Sequence, residues 1–280
     1  MASGNKTLLG KVAVITGGGT GLGRAMARAL AEEGCDVVVA ARRIGPIEET
    51  AAEIRQIGTR GLAVSTDVTD SVQCNRLIST ALKEMGRVDV LINNAGIVRK
   101  ELPTEIWDIT DAQWHEGIDV NLSSAFYCSR AIGKYFVERK SGKIINVGAG
   151  LGFRGMRNSV MYPTAKSGIL GLTRALALSW APFNVQANVL VPGFVDTADL
   201  QPAEQKAMML ARRNETGRRL FVPVGSQGVP DDIGSLGLFL ASDSSNYITG
   251  AVFISDGGGL AGSLTTTGYA PIIELEKELL

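Results

Sequence analysis

Apolar residues fall along the chain in short unbroken runs separated by longer stretches with helical spacing. Val12-Ala-Val-Ile-Thr16, Asp36-Val-Val-Val-Ala-Ala41 and Gly142-Lys-Ile-Ile-Asn-Val147 read as strands buried on both faces, because a half-exposed strand would alternate with polar residues. The same pattern predicts strands over 12–16, 36–41, 61–65, 88–93, 142–147, 185–191 and 251–255, with helices mainly between them. Strand-helix repeats require crossover connections, and right-handed crossovers place helices on both faces of a parallel sheet. The predicted fold is α/β: one doubly wound domain over residues 1–280 with a seven-stranded parallel sheet. A ligand is expected at the carboxyl ends of the strands, where the strand order reverses.

The first strand runs into Thr16-Gly-Gly-Gly-Thr-Gly-Leu-Gly23, and Arg24-Ala-Met-Ala-Arg-Ala-Leu-Ala then has helical spacing and good helix formers. Gly17, Gly21 and Gly23 allow a tight strand-to-helix turn and a close backbone approach, with Thr20 and Leu22 beside them. The free N–H groups and dipole of the helix start favour an anion, and a pyrophosphate fits. The spacing is T-G-x-x-x-G-x-G and not the G-x-G-x-x-G of the common dinucleotide fingerprint.

Composition narrows the partners. Basic and acidic side chains balance at 28 each, so no net field draws nucleic acid or an anionic membrane, and a small molecule is the expected partner. Cys35, Cys74 and Cys128 lack C-x-x-C spacing, which argues against a disulfide framework or a zinc site and points to a reducing cytoplasm. The first residues lack the apolar stretch of a signal peptide, and no run reaches the roughly 20 apolar residues of a membrane span. No metal site is expected, and His115 beside Glu116 reads as a surface residue.

Arg42 and Arg43 follow the second strand where a ribose-binding acid would be expected, about 20 residues past the glycine turn. Guanidinium groups there offer a charge-assisted site for a 2′-phosphate, so NADP(H) is favoured over NAD(H). Asp67 after the third strand either accepts from an adenine amino group or caps the helix at Ser71. Asn93-Asn-Ala-Gly96 ends the fourth strand, small enough for a ligand to pass close. Residues 112–137 read as one long helix carrying the polar Asn121 among mostly apolar and small residues. Tyr162-Pro-Thr-Ala-Lys166 places a phenol and an ammonium four apart on one helix face, with Pro163 in the first turn after Asn158 or Ser159. Lowering that phenol from near 10 to about 7 takes roughly 4 kcal/mol, much of which Lys166 is expected to supply.

Together the glycine turn, Asn93-Asn-Ala-Gly96 and Tyr162-x-x-x-Lys166 resemble the classical short-chain dehydrogenase/reductase family, over about residues 8–259, leaving an extension at 260–280. The resemblance implies a Rossmann-type domain, hydride transfer between a nicotinamide and a secondary alcohol or ketone, and a homo-oligomer, tetramer or dimer. It implies that Asp67 and Val68 hold adenine, that Asn94, Ala95 and Gly96 line the cofactor path, and that Pro192, Gly193, Val195 and Thr197 meet the nicotinamide. Asn121 would kink its helix and relay protons to Lys166; a satisfied core amide is the other reading. Tyr162 and Lys166 would serve both catalysis and cofactor binding.

The sequence departs from the family pattern at Ala149, which stands thirteen residues before Tyr162 where a catalytic serine belongs. Losing such a hydrogen-bond donor typically costs about 10² to 10³ in rate. Three accounts follow: an engineered serine-to-alanine change, a natural variant in which Ser159 or water replaces the donor, or a silent NADP-binding subunit or sensor. The first is preferred because every other catalytic position is intact. Ala149, Arg154, Arg157 and Ser159, with Arg99 and Lys100, are candidates to meet a polyol, sugar-acid or cyclic-alcohol substrate, and residues 198–222 read as a methionine-bearing lid.

Overall fold

The computed structural model describes residues 6–97, 105–156, 159–197, 222–224 and 226–261. Arg99, Lys100, Arg157, nearly all of the expected lid at 198–222 and residues 262–280 of the extension lie outside them. The elements in chain order are β1 (Val12–Thr16), α1 (Gly21–Glu32), β2 (Asp36–Ala41), α2 (Ile44–Ile57), β3 (Gly61–Ser65), α3 (Ser71–Met85) and β4 (Val90–Asn93), then α4 (Asp111–Ile118), α5 (Ser124–Arg139), β5 (Gly142–Val147), α6 (Met161–Trp180), β6 (Val185–Pro192), α7 (Pro230–Ala241) and β7 (Val252–Ser255).

The seven strands form one parallel sheet in the order β3-β2-β1-β4-β5-β6-β7, so the direction of growth reverses beside β1 and a crevice opens between the ends of β1 and β4. Alternation along β1 serves both faces. Ala13 and Ile15 pack with Met26 and Leu30 of α1, Ile54 of α2 and Leu240 of α7. Val12 and Val14 pack on the opposite face with Leu77 of α3, Ile132 and Phe136 of α5 and Ala177 of α6. Each such fully buried aliphatic or aromatic side chain contributes about 1.5 to 3 kcal/mol, so strand positions are fixed from both sides.

The observed strands match the expected ones to within a residue or two. β4 starts at Val90 and not at residue 88; just before it, Asp89 still bonds through its backbone to Val12 and Lys143, and its carboxylate accepts the Val12 N–H at 2.9 Å and binds Arg87 and Arg139. Helix starts differ more. Asp67 does not cap α3: Asp70 does, accepting from the N–H groups of Val72 (2.8 Å) and Gln73 (3.4 Å), because a cap must sit immediately before the first helical residue. Asp67 instead accepts from the Thr69 N–H (3.0 Å) and hydroxyl (2.7 Å). α6 begins at Met161, two residues past Ser159, which leaves Pro163 in the first turn where a missing N–H costs nothing. The helix expected over 112–137 is a continuous helical run broken by a π-helical turn at Asp119–Ser123. Among the described residues no helix is long and apolar enough to cross a membrane.

Candidate active site

The turn after β1 is built around close backbone contacts. Gly17 holds φ at +66° and Gly21 at +53°, and a Cβ on Gly23 would collide with the Gly17 carbonyl oxygen. The Asn94 amide donates to the carbonyls of Thr16 (3.0 Å) and Gly17 (3.1 Å), while the Thr16 hydroxyl accepts the N–H groups of Asn94 and Ala95, both at 3.1 Å. The ends of β1 and β4 are thereby locked together across the reversal point. Thr20, at the N-cap of α1, makes no side-chain bond to the first turn, which also lacks an acid. Its N–H groups are left to a ligand or solvent.

From this turn the crevice extends both ways. One half, about 500 Å³, is lined by Gly17, Arg42, Arg43, Asp67, Val68 and Gly96 among others. Arg42 and Arg43 are exposed and form no ion pair among the described residues, and the first turn of α2 beside them carries no acid. The second half, about 480 Å³, is lined by Thr20, Gly21, Leu22, Asn94 and Ala95 on one side and by Tyr162, Lys166, Pro192, Gly193, Val195 and Thr197 on the other. Ala149, Arg154 and Ser159 stand on the flanking segment between β5 and α6 and are not among the side chains that line it.

Lys166 is buried, and its Nζ donates to the Val147 carbonyl at 2.8 Å and lies 5.7 Å from the centre of the Tyr162 ring. Burial pushes the ammonium down to about 8 and pushes the Tyr162 phenol up. The expected fall at Tyr162 is therefore not produced by Lys166 in the chain alone: burial is what moves the phenol, and it moves it up.

Asn121 is a satisfied buried amide with a clamping role. Its Oδ1 accepts the Ile97 N–H (3.0 Å), and its Nδ2 donates to the carbonyls of Ile97 (3.0 Å) and Gly117 (2.9 Å). Capture of the Gly117 carbonyl by a side chain accompanies the widened π turn, a distortion often found at functional sites. Gly96 fits between the two polar groups: a Cβ there would stand 2.9 Å from Asn121 Oδ1 and 3.5 Å from Lys166 Nζ. Ala149 is extended, its carbonyl accepts the Gly152 N–H at 2.8 Å, and the Ser167 hydroxyl donates to the Gly152 carbonyl at 2.9 Å, pinning the loop to α6.

Three site residues escaped the sequence reading. Thr16 had a signal, its place ahead of Gly17 in the glycine motif. Val147 and Ile97 act through backbone atoms, which no side-chain pattern reveals. His115 is exposed, and among the described residues no group of three or more His, Cys, Asp or Glu could hold a metal.

A family model described as short chain dehydrogenase matches residues 11–208. The 2-dehydro-3-deoxy-D-gluconate 5-dehydrogenase of Dickeya dadantii is 37% identical over 257 residues, covering 91% of this chain and 97% of that relative. The chain belongs to the short-chain dehydrogenase family. As a short-chain dehydrogenase it is also 36% identical over 250 residues to the cis-4-hydroxycyclohexanecarboxylate dehydrogenase of Sinomonas cyclohexanicum, with 89% and 96% of the two chains covered. A crystal structure of a short-chain type dehydrogenase/reductase from Mycobacterium marinum superposes with a TM-score of 0.78 at 30% identity, covering 91% of this chain and 97% of that one. The relatives are dehydrogenases and reductases, so the chain is an oxidoreductase of this family.

Proposed function

We propose that the chain is an NADP(H)-dependent oxidoreductase acting on a secondary alcohol or ketone that carries a carboxylate, a sugar acid or a cyclic hydroxy acid. The observation that carries it is the pairing of Tyr162 with the buried Lys166 in a crevice at the carboxyl ends of a parallel sheet. The crevice fits a dinucleotide: Gly17, Thr20, Gly21, Leu22 and Gly23 form a close-packed cradle for the pyrophosphate, Asp67 and Val68 receive adenine, and Arg42 and Arg43 meet the 2′-phosphate with unpaired guanidinium groups. Asn94, Ala95 and Gly96 flank the middle, and Pro192, Gly193, Val195 and Thr197 hold the nicotinamide end. When bound, the dinucleotide supplies or accepts hydride and, oxidised, brings a positive charge.

The chain's own residues handle the proton. The Tyr162 hydroxyl gives a proton to, or takes one from, the substrate oxygen, and the Lys166 ammonium steadies the phenolate and can bind the nicotinamide ribose. Asn121 fixes Ile97 and with it the floor beneath Gly96. Ala149 cannot donate to the substrate oxygen, so turnover of this chain is low. The carboxylate preference is supported by two relatives whose names specify carboxylate-bearing alcohols or ketones. A homodimer or homotetramer is supported by the exposed Trp107, Leu178 and Ile254, and a reducing cytoplasm by three free thiols.

Ala149 itself favours a second reading, a silent NADP-binding subunit or sensor. Titration with NADPH and NADH, followed by turnover of oxo- and hydroxy-carboxylates by this chain and by Ala149→Ser, separates the two. NADPH binding tighter than NADH, with turnover restored by the serine, is the expected outcome. Equal or tighter NADH overturns the cofactor assignment, and NADPH binding without turnover in either chain overturns the enzyme reading.

A further inference from the structure

At the end of the sheet away from the crevice, the starts of β4, β5 and β6 border a cavity of about 70 Å³ whose lining includes Lys11, Asp89, Lys143, Gln186 and Asp243. Lys143 is the second residue of β5, paired with Val90 on one side and Gln186 on the other, and only 7% of it is exposed. Its Nζ donates to the Ser245 hydroxyl at 2.8 Å and forms no ion pair among the described residues. Ser245 is itself fully buried and gives its proton to the carbonyl of Leu240 (2.9 Å) or Ser242 (3.0 Å), so toward Lys143 it only accepts. An ammonium has three protons to place, and this one has a single acceptor among the described residues. Burial without a carboxylate partner favours the neutral amine: it pushes Lys143 down to about 8, against the pull of Asp243 and with some help from Lys11. Charge around the cavity is also out of balance. Four cations, Lys11, Lys143, Arg87 and Arg139, stand against two carboxylates: Asp89, bound by both arginines at 2.6 and 2.9 Å, and Asp243, 3.9 Å from Lys11. A water takes roughly 30 Å³ in the liquid, so the cavity admits a molecule of a few heavy atoms and excludes a sugar or a nucleotide.

We propose that Lys143 is a carbon dioxide site, taking up CO2 reversibly as a carbamate on its Nζ. The lone pair of the neutral amine attacks the carbon of CO2: a C–N bond forms, the electron pair of one C–O π bond moves onto oxygen, and one amine proton leaves to water. In sum one amine and one CO2 give one carbamate anion and one proton, with nothing oxidised or reduced. The carbamate nitrogen keeps one N–H, enough for the bond to Ser245, and the new negative charge offsets part of the cation excess. CO2 enters uncharged, whereas a preformed anion has to shed its hydration first. Lys166 is buried as well, but its Nζ is bound to the Val147 carbonyl at the far end of β5, inside the crevice. The site goes beyond the oxidoreductase reading and does not rest on it.

The test uses the full chain at about pH 8 in carbon-13 bicarbonate, which equilibrates with CO2, read by carbon NMR and by triethyloxonium trapping followed by peptide mass spectrometry. The expected result is a carbamate carbon signal that disappears when CO2 is stripped with argon. Trapped label at Lys143 is expected to exceed that at any exposed lysine by about tenfold or more, because a free lysine near 10.4 is far less deprotonated at this pH. Lys143→Arg, which keeps the charge without a nucleophilic amine, is expected to lose both signals. In the parent, bicarbonate is expected to raise the urea unfolding midpoint above that in chloride of equal ionic strength, and in Lys143→Arg to leave it unchanged. No carbamate signal from the folded parent, or label confined to exposed lysines or to Lys166, overturns the site; these outcomes are read on the parent and hold whether or not the arginine variant folds. Label at Lys143 with an unmoved midpoint overturns the part given to charge around the cavity.

Discussion

The two ends of the crevice carry cations in opposite surroundings. Arg42 and Arg43 stand exposed at one end with no ion pair among the described residues, whereas Lys166 at the other is 4% exposed and pushed by burial down to about 8. A solvated guanidinium keeps its charge at every working pH, so it serves only to bind, and salt screens what it contributes. A buried ammonium sits near its titration point and is unstable in its charged form, which suits it to proton chemistry and makes it a burden on folding. Affinity and catalysis are therefore expected to separate along the crevice.

The largest effect belongs to the buried end. Lys166→Ala, made in the Ala149→Ser chain, is expected to cut turnover by about 10² to 10⁴ and also to weaken NADPH, because one ammonium serves both; steady-state kinetics with a cofactor titration shows whether the two losses occur together. Next comes Ala149→Ser alone, expected to raise turnover about 10² to 10³ with NADPH affinity barely changed. A gain of tenfold or less, together with a larger loss in Ser159→Ala, shows instead that Ser159 or a water already fills the role.

The third effect is on stability. The Lys166 ammonium falls from 10.5 to about 8 in the folded chain, so below pH 8 both states are protonated and the buried charge costs its full amount, of order 3 kcal/mol. Between about pH 8 and 10.5 this site binds more protons in the unfolded chain, so its contribution to stability rises with pH. Lys166→Met should stabilise by about 1 to 3 kcal/mol at pH 7, after loss of the bond to the Val147 carbonyl, and by much less at pH 10. Urea unfolding at both pH values checks this. Lys143, also pushed by burial to about 8, adds an alkaline slope of the same sign in that variant, and the raised Cys35 thiol adds one of the opposite sign.

The last effect, on affinity alone, belongs to the exposed end. Arg42→Ala should weaken NADPH by about 1.5 to 3 kcal/mol at low salt, leave NADH nearly unchanged and flatten the salt dependence, as read by titration at two ionic strengths. Equal losses for NADPH and NADH contradict a 2′-phosphate contact.

The sheet was legible because strands buried on both faces write themselves as continuous apolar runs, and the glycine turn because only glycine tolerates its backbone and its close contacts. The Tyr162 and Lys166 pair was legible from helical spacing together with its place after the glycine turn and Asn93-Asn-Ala-Gly96. What escaped depends on partners distant in the chain. A break at Asn121 was expected only from the family resemblance, because Asp-Val-Asn-Leu-Ser at 119–123 has nothing local against an ordinary helix; the π turn accompanies an Asn121 amide that reaches both Gly117 and Ile97. The helix start at Ser71 was read correctly but its cap was not: Asp70, immediately before that start, caps the helix in place of Asp67. The rise at Tyr162 was missed because charge attraction is visible in a four-residue spacing and desolvation is not. Cys74 and Cys128 share one core cluster only because α3 and α5 pack on the same face of the sheet.

The central claim is that Tyr162 exchanges a proton with the substrate while hydride moves at a bound nicotinamide. The direct measurement is the initial rate of NADPH oxidation by the Ala149→Ser chain and its Tyr162→Phe derivative on the same oxo-carboxylate, with NADPH affinity measured for both. The account predicts a rate lower by about 10² to 10⁴ in the phenylalanine variant at nearly unchanged affinity. Full activity in that variant contradicts it.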